Sequence, residues 1–129
     1  EITRIHSINS CRIILTCDEE VNDISPEIQL IIFRISQEAI RNAITHGLAK
    51  TIEIELKILE TSVIFEIKDD GIGFDPKLVQ LKKSSQGLHN IEKRINAING
   101  FLTIDTIIGH GTILKILFPN IINQMRVSQ

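Results

Sequence analysis

The residues that most clearly indicate a ligand-binding site are glycines at the ends of apolar segments. An Asp-x-Gly-x-Gly motif stands at Asp69, Gly71 and Gly73, and a second glycine pair, Gly109 and Gly111, follows later. Glycine at such points lets the backbone take positive φ angles and approach a ligand closely. A simple turn explains any one of these glycines alone, but the motif arises by chance in only roughly 3 of 100 chains of this length. Together the glycines indicate a backbone cradle for a ligand.

A second candidate site lies on a long helix that periodicity predicts over residues 26–45. With about 3.6 residues per turn, Glu38 and Asn42 continue an apolar line on this helix. A carboxylate and an amide one turn apart suit Mg²⁺, which keeps several waters and is shared with phosphates. The alternative is a solvated helix on which Glu38 pairs with Arg34 or Arg41.

The elements that must position these residues are strands and helices in an order that argues against a simple parallel sheet. Hydrophobic periodicity predicts two helices, at 26–45 and 88–99, and five strands, at 11–17, 51–59, 62–68, 101–107 and 112–118. Two hairpins interrupt the strand–helix alternation. We therefore predict an α+β fold, a two-layer sandwich with helices on one face of a mixed, mostly antiparallel sheet.

The sequence also predicts the ends and the covering of the first helix, and a mobile lid. The first helix should begin at Ser25 and Pro26 and end before Gly47, because serine caps free N–H groups and proline fits the first turn. Phe33, Ile40 and Ile44 make the side opposite its main apolar stripe apolar as well, which predicts that the helix is covered on both sides. The polar residues 75–86 are too hydrophilic for a core and predict a mobile lid.

Composition bounds the function. A net charge of −2 lacks the basic excess that nucleic-acid binding requires, and no apolar run is long enough to span a membrane.

Cys11 and Cys17 lack partners at metal-ligand spacing, so we expect reduced core thiols in a cytosolic protein. Residues 1–129 are expected to form one domain with its core at about 11–119. Because the chain begins at Glu1 instead of Met, we expect a domain excised from a larger protein.

Four segments together resemble the nucleotide-binding motifs of the GHKL ATPases. Residues 37–46 resemble the N box, 69–74 the first glycine box, 85–91 the second and 109–112 the last, in the order and spacing of that family. Within the family, the chain resembles the catalytic domain of two-component sensor histidine kinases of the nitrate-sensor and degradation-sensor type. The resemblance covers about residues 11–119 and implies the GHKL ATP-binding fold.

The resemblance implies that the ligands are ATP and Mg²⁺, and it gives roles to single residues. Asp69 would accept a hydrogen bond from the adenine amino group, with Thr112 supporting it. Asn42 would hold Mg²⁺, while Glu38 would orient a metal-bound water or act as the base. The other implied nucleotide-binding residues are His46 at the helix end, Gly71, Gly73 and Phe74 at the base, and Gly87 and Leu88 at the lid hinge and triphosphate.

Two positions depart from the family pattern. Thr45 stands where the family often has Lys or Arg, and Ser85 stands where it often has Gly. Phosphate charge would then rest on Mg²⁺ and on lid residues such as Lys82 or Lys83, which leaves nucleotide binding less affected than catalysis.

The resemblance also implies a reaction and its partners. The γ-phosphoryl group of ATP would pass to a histidine on a separate dimerisation domain, because an acidic residue follows none of the four histidines here. The full-length protein would be a homodimer with a response regulator downstream, and this domain would be the cytoplasmic part of a membrane-anchored bacterial sensor without nucleic-acid or membrane contacts of its own. The alternatives are a free-standing GHKL serine kinase of the anti-sigma-factor type and a nucleotide-binding module without transfer activity.

Overall fold

One sheet of six strands and two helices form the described part of the chain. The structure is a computed structural model that describes residues 1–8, 10–18, 24–46, 48–72 and 85–119, with the backbone alone for 85–89. In chain order the elements are β1 (Ile2–Ile8), β2 (Cys11–Cys17), α1 (Pro26–Thr45), β3 (Thr51–Ile58), β4 (Ser62–Asp69), α2 (Ser85–Ala97), β5 (Phe101–Ile107) and β6 (Gly111–Pro119).

The strands lie side by side in the order β1-β2-β3-β4-β6-β5. β2 and β3 are parallel because α1 connects them, and the other neighbouring pairs are antiparallel. This confirms the predicted mixed, mostly antiparallel sheet. Because β6 is inserted between β4 and β5, Thr112 near the start of β6 lies directly opposite Asp69 at the end of β4.

The core lies between the helices and one face of the sheet. The pairs Ile54–Ile67 and Ile67–Leu114 show that buried side chains align across neighbouring strands. Ile31 and Ile35 of α1 and Ile95 of α2 are buried in the same cluster, and burying each such side chain contributes about 1.5–3 kcal/mol. The structure confirms the predicted α+β two-layer sandwich.

Helix α1 begins as its capping residues predict. The Ser25 hydroxyl accepts a hydrogen bond from the Ile28 backbone N–H at 3.3 Å, and Pro26 occupies the first turn. The prediction that both sides of the helix are covered is wrong at Phe33, which is 57% exposed, whereas Ile40 and Ile44 are partly buried against the core. No helix in the described part of the chain is long and apolar enough to cross a bilayer.

The N-terminal strand β1 was not predicted. All seven of its residues are exposed, so the strand carries no alternation between buried and exposed positions from which periodicity could detect it. Its pairing with β2 gives it a defined register, with Ile8 opposite Cys11. The predicted lid at 75–86 lies almost entirely outside the described residues.

The two cysteines of β2 are free thiols that face the helix side of the sheet. Cys11 is buried and Cys17 is partly buried. Burial raises the pKa of the Cys11 thiol, and the negative charges of Asp70 and Asp69 raise it further. A thiol that is harder to deprotonate is a poor nucleophile, so Cys11 acts as an apolar core residue.

Candidate functional site

The Asp69 carboxylate lies at the end of the sheet where β4 meets β6. Its Oδ1 atom accepts a hydrogen bond from the Gly71 backbone N–H at 2.9 Å, and the carboxylate also accepts one from the Thr112 backbone N–H. Asp69 shares the helix-covered face of β4 with Ile67 and Phe65. We call this corner, formed by Asp69, Gly71, Thr112 and their neighbours on β5 and β6, the base end, after the nucleotide base that the family resemblance predicts there.

Burial and hydrogen bonding shift the pKa of Asp69 in opposite directions, and the net shift is upward. Burial raises the pKa of its carboxyl, the Gly71 N–H opposes this rise, the negative charge of Asp70 adds to it, and the Thr112 N–H opposes it again. A carboxylate has about four lone-pair positions, so two backbone donors leave acceptor capacity unused. A partly buried carboxylate with a raised pKa is a typical binding-site group.

Thr106 belongs to the base end, although the sequence did not single it out. Its Oγ1 lies 3.0 Å from Thr112 Oγ1 and 3.4 Å from the Gly111 carbonyl oxygen, to which it donates. The β5–β6 register places Thr106 opposite Thr112. Only this register, which no short motif encodes, could have revealed the hydroxyl pair.

Gly111 allows β6 to approach β4 at the base end. Its φ is +96°, and a Cβ atom at this position would lie only 2.1 Å from the Asp69 carbonyl oxygen. Gly109, in the preceding turn, also has a positive φ of +88°, but a Cβ atom there would meet open space. Its N–H donates to the Ile72 carbonyl oxygen at 2.5 Å. The last glycine box thus needs Gly111 for close approach and Gly109 for conformation alone.

Asp70 serves the opposite side of the same strand end. Its Oδ1 accepts hydrogen bonds from the backbone N–H groups of Lys50 at 2.8 Å and Thr51 at 2.9 Å. The Thr51 bond is the main cause that lowers the pKa of Asp70, with the Lys50 bond and the Lys50 charge also contributing. Asp70 therefore fastens the start of β3 to the end of β4 and leaves Asp69 to face the site.

Helix α1 presents Glu38 and Asn42, one turn apart, to the partly buried side of the helix. The Glu38 side chain is 15% exposed, and its Oε2 lies 2.5 Å from Arg41 Nη2. The Glu38 Oε1 atom is buried and has no hydrogen-bond partner among the described residues. The alternative ion pair of Glu38 with Arg41 is therefore present, yet Glu38 is not an ordinary solvated residue, because its Oε1 is buried.

The other predicted site residues have less structural detail. His46 follows the last residue of α1, where its backbone N–H donates to the Asn42 carbonyl oxygen at 2.9 Å, and its side chain is exposed. Gly87 and Leu88 lie in the first turn of α2, described by backbone alone. Gly73 and Phe74 lie outside the described residues.

A cavity of about 760 Å³ lies between α1 and α2. Its charged and polar lining includes Arg34, Glu38 and Arg41 from α1 and Asn90 and Arg94 from α2. Apolar residues of both helices complete the wall. We call it the interhelical cavity. Glu38 belongs to its lining and lies one turn before Asn42 on α1.

The residues around Glu38 fit a metal ion that takes few ligands from protein. Within the described ranges, no three His, Cys, Asp or Glu side chains converge on one point. A buried carboxylate oxygen without a partner is costly, so the bare Glu38 Oε1 fits a position that a cation or its water would occupy. Mg²⁺ meets this description, because it retains waters and uses one or two carboxylates or amides together with phosphates.

Comparison with known proteins shows the family to which the chain belongs. The family described as "Histidine kinase-, DNA gyrase B-, and HSP90-like ATPase" matches residues 27–121. The chain belongs to this ATPase family. Because the match includes α1, the Asp69 strand end and the last glycine pair, all four predicted boxes fall within the ATPase domain.

Relatives of this ATPase domain are histidine kinases. It is 38% identical over 106 residues to the signal transduction histidine-protein kinase/phosphatase DegS of Bacillus subtilis (strain 168), covering 80% of this chain and 28% of DegS. It is 34% identical over 97 residues to the oxygen sensor histidine kinase NreB of Staphylococcus carnosus (strain TM300), covering 72% of this chain and 26% of NreB. The chain thus spans about a quarter of the length of these curated relatives.

A solved structure supports the fold. The blue-light activated histidine kinase of Erythrobacter litoralis EL346 superposes with a TM-score of 0.70 at 15% identity, covering 92% of this chain and 38% of that chain. The predicted GHKL fold and the predicted resemblance to histidine kinases of the nitrate-sensor and degradation-sensor type are confirmed. The chain is an ATP-binding domain of the histidine kinase type.

Proposed function

We propose that this domain binds ATP together with Mg²⁺ and presents the γ-phosphoryl group to a histidine on a separate dimerisation domain. The observation that carries the proposal is the Asp69 carboxylate, held by backbone N–H groups at a glycine-built corner inside an ATPase family domain. In such transfers the protein contributes mainly positioning and charge stabilisation. The dimerisation domain and a downstream response regulator are part of this proposal, because the chain spans only part of its relatives.

At the base end, Asp69 selects adenine. Its carboxylate accepts a hydrogen bond from the exocyclic amino group of adenine, whereas guanine presents a carbonyl oxygen at the equivalent ring position and would meet a second acceptor. A site that leaves a buried acceptor unpaired discriminates strongly against the wrong ligand. Thr112 and Thr106 place their hydroxyl groups beside the same base.

On α1, Asn42 and Glu38 hold the metal side of the nucleotide. Mg²⁺, when bound, supplies neutralisation of the phosphate charge. The Asn42 amide oxygen is a neutral ligand for it. Arg41 occupies Glu38 Oε2, which leaves Oε1 as the atom that orients a water or accepts a proton. The first turn of α2, with Gly87 and Leu88, directs backbone N–H groups toward the phosphates.

Nucleotide titration tests the base end. In Asp69→Asn the charge of the acceptor is lost, so ATP affinity should fall roughly 10- to 150-fold and discrimination against GTP should relax. Asp105→Asn is the matched control, because Asp105 is an exposed carboxylate on the other face of the sheet. Unchanged ATP affinity in a folded Asp69→Asn protein would refute the assignment.

Metal dependence tests Asn42. Asn42→Asp should preserve the helix and change the Mg²⁺ dependence of ATP binding far more than affinity for adenosine, because adenosine needs no metal. Calorimetric titrations with and without Mg²⁺ measure both quantities. Equal losses for ATP and adenosine would show that Asn42 acts through helix packing.

Phosphoryl transfer is tested with γ-labelled ATP. Alone, the chain should bind ATP but take up negligible label, because an acidic residue follows none of its four histidines. A separate protein that carries dimerisation helices should become labelled weakly, since two free pieces lack the effective concentration of a tethered pair. Binding without any transfer would favour the nucleotide-binding module, and stoichiometric acid-labile labelling of the chain alone would place an acceptor within it.

A further inference from the structure

The interhelical cavity carries a local excess of positive charge. Among the described residues of its lining, Arg34, Arg41 and Arg94 stand against one carboxylate, that of Glu38, although the whole chain has a formal net charge of −2. Three guanidinium groups in one cavity repel one another unless an anion balances them. The lining therefore favours a negatively charged occupant.

Two of the three arginines are available for such an anion. Arg41 is paired with Glu38 at 2.5 Å. Neither Arg34 nor Arg94 forms an ion pair with any other described residue. Both residues are exposed, so an anion from solvent can reach their guanidinium groups.

We propose that Arg34 and Arg94 bind the terminal phosphate of ATP, one from each helix. This inference rests on the proposed function, since it extends the ATP site from Asn42 and Glu38 along α1. Arg34 lies one turn before Glu38, and Asn42 lies one turn after it, so the three residues share one side of the helix over about 12 Å.

The chemistry of arginine suits this position. Its planar fork donates two parallel hydrogen bonds to phosphate oxygens and stays charged at any physiological pH. The complex of ATP with one divalent cation remains negative, so cations from the protein are still needed. Thr45 supplies none at the end of α1, and Arg41 is already paired with Glu38. Arg34 and Arg94 are therefore the described cations of the cavity lining that have no ion-pair partner among the described residues.

The cavity lining also separates this contact from the base. Neither Asp69 nor Thr112 belongs to the cavity lining. Removing Arg34 or Arg94 should therefore affect the γ-phosphate and spare the base and the inner phosphates. This predicts a loss in affinity for ATP that ADP does not share.

The experiment compares ATP and ADP dissociation constants in Mg²⁺ for the wild type, Arg34→Gln, Arg94→Gln and the control Arg12→Gln. Arg12 is an exposed arginine of β2 on the other face of the sheet. Each cavity variant should lose roughly 10- to 100-fold in ATP affinity and change ADP affinity by less than about twofold. Arg34→Lys and Arg94→Lys keep the charge without the planar guanidinium fork, so their ATP affinities should lie between those of the wild type and the glutamine variants.

Each outcome has a defined meaning. A wild type that binds no ATP would overturn the proposed function and this inference together. A wild type that binds ATP no better than ADP, or variants that lose ATP and ADP affinity equally, would overturn this inference alone. Far-ultraviolet circular dichroism verifies folding, and if a glutamine variant is unfolded, the lysine variant decides by the same ATP-to-ADP ratio.

Discussion

The base end and the interhelical cavity are built by different means. At the base end, backbone N–H groups of Gly71 and Thr112 hold the Asp69 carboxylate, and strand pairing fixes their spacing. In the cavity, long side chains from two helices face one another, and only Glu38 and Arg41 are paired among the described residues. One end is set by the sheet, and the other depends on side chains that a ligand must order.

The difference separates rigid groups that recognise the base from flexible groups that bind phosphate. Backbone donors in a sheet lose little entropy when a base binds, because they are already fixed. Immobilising an arginine side chain costs about 0.5–1.5 kcal/mol in conformational entropy. The electrostatic attraction between arginine and phosphate offsets this cost. We therefore expect nucleotide selectivity to depend on strand geometry and phosphate affinity to depend on charge.

The largest effect should come from Gly111→Ala. The new Cβ would collide with the Asp69 carbonyl oxygen, 2.1 Å away, in a backbone with φ of +96°. We expect a loss of more than about 3 kcal/mol in the free energy of unfolding, together with loss of adenosine, ADP and ATP binding alike.

Gly109→Ala is the control for this variant. Its φ is also positive, but its Cβ would meet no atom within 4 Å, so it should lose only about 1–2 kcal/mol from the backbone conformation. Urea unfolding of both variants measures the difference. Equal losses would show that strain in φ, not the approach of β6 to β4, makes glycine necessary at Gly111.

The next effect concerns Asp70. Asp70→Ala removes the acceptor of two backbone N–H groups, from Lys50 and Thr51. Because Asp70 is exposed, water can replace these bonds in part, and we expect a loss of about 1–2 kcal/mol in unfolding free energy. Adenosine affinity should fall only slightly; a drop as large as that of Asp69→Asn would mean that both carboxylates contact the base.

The same residue gives a pH dependence of stability. Hydrogen bonds from Thr51 and Lys50 lower the pKa of Asp70 in the folded state, so its stabilising contribution is present above the pKa of the unfolded chain. This contribution is lost as the pH falls through the lower pKa of the folded state. Urea unfolding of Asp70→Asn should therefore show a shallower loss of stability on the acid side than the wild type.

Asp69 should respond to pH in the opposite sense. Burial raises its pKa, so protonation favours the folded state, and this contribution is lost as the pH rises through the folded-state pKa. Asp69→Asn should thus be somewhat more stable than the wild type at neutral pH. ATP binding should weaken as the pH falls through this raised pKa, because the protonated carboxyl no longer offers a charged acceptor, and Asp69→Asn should lack this pH dependence.

The smallest effect should come from Thr106→Val. The variant loses the contact of the Thr106 hydroxyl with Thr112 Oγ1 and its hydrogen bond to the Gly111 carbonyl oxygen, but both threonine positions stay paired in the β5–β6 ladder. We expect ATP affinity to fall about threefold, as for one neutral hydrogen bond, with Thr106→Ser close to the wild type. An effect equal to that of Asp69→Asn would make Thr106 a direct contact of the base.

The sequence predicts those parts of the fold whose signals are local. Ser25 and Pro26 start α1 through capping chemistry, and alternation predicts β3 and β4 to within a residue. Strand β1 has no such signal because all its residues are exposed. The cover over Phe33 was inferred from hydrophobicity alone, which does not say what lies opposite.

For the site, the limit of prediction is set by strand and helix pairing. The motif at Asp69 was evident from spacing, but the division of work between Asp69 and Asp70 depends on the register of β4 with β3 and β6. That Arg34 and Arg94 line the same cavity depends on how α1 packs against α2. Such contacts join distant parts of the chain, and no spacing rule encodes them.

The position of β6 between β4 and β5 has a consequence for folding kinetics. The hairpins β3–β4 and β5–β6 form from neighbouring segments, but joining β4 to β6 closes a long loop and is slow for that reason. Asp69 and Thr112 belong to different hairpins, so the base end exists only once these two hairpins have paired. We expect ATP to slow unfolding and leave the refolding rate unchanged in stopped-flow measurements, and faster refolding with ATP would show that the two hairpins meet before the rate-limiting step.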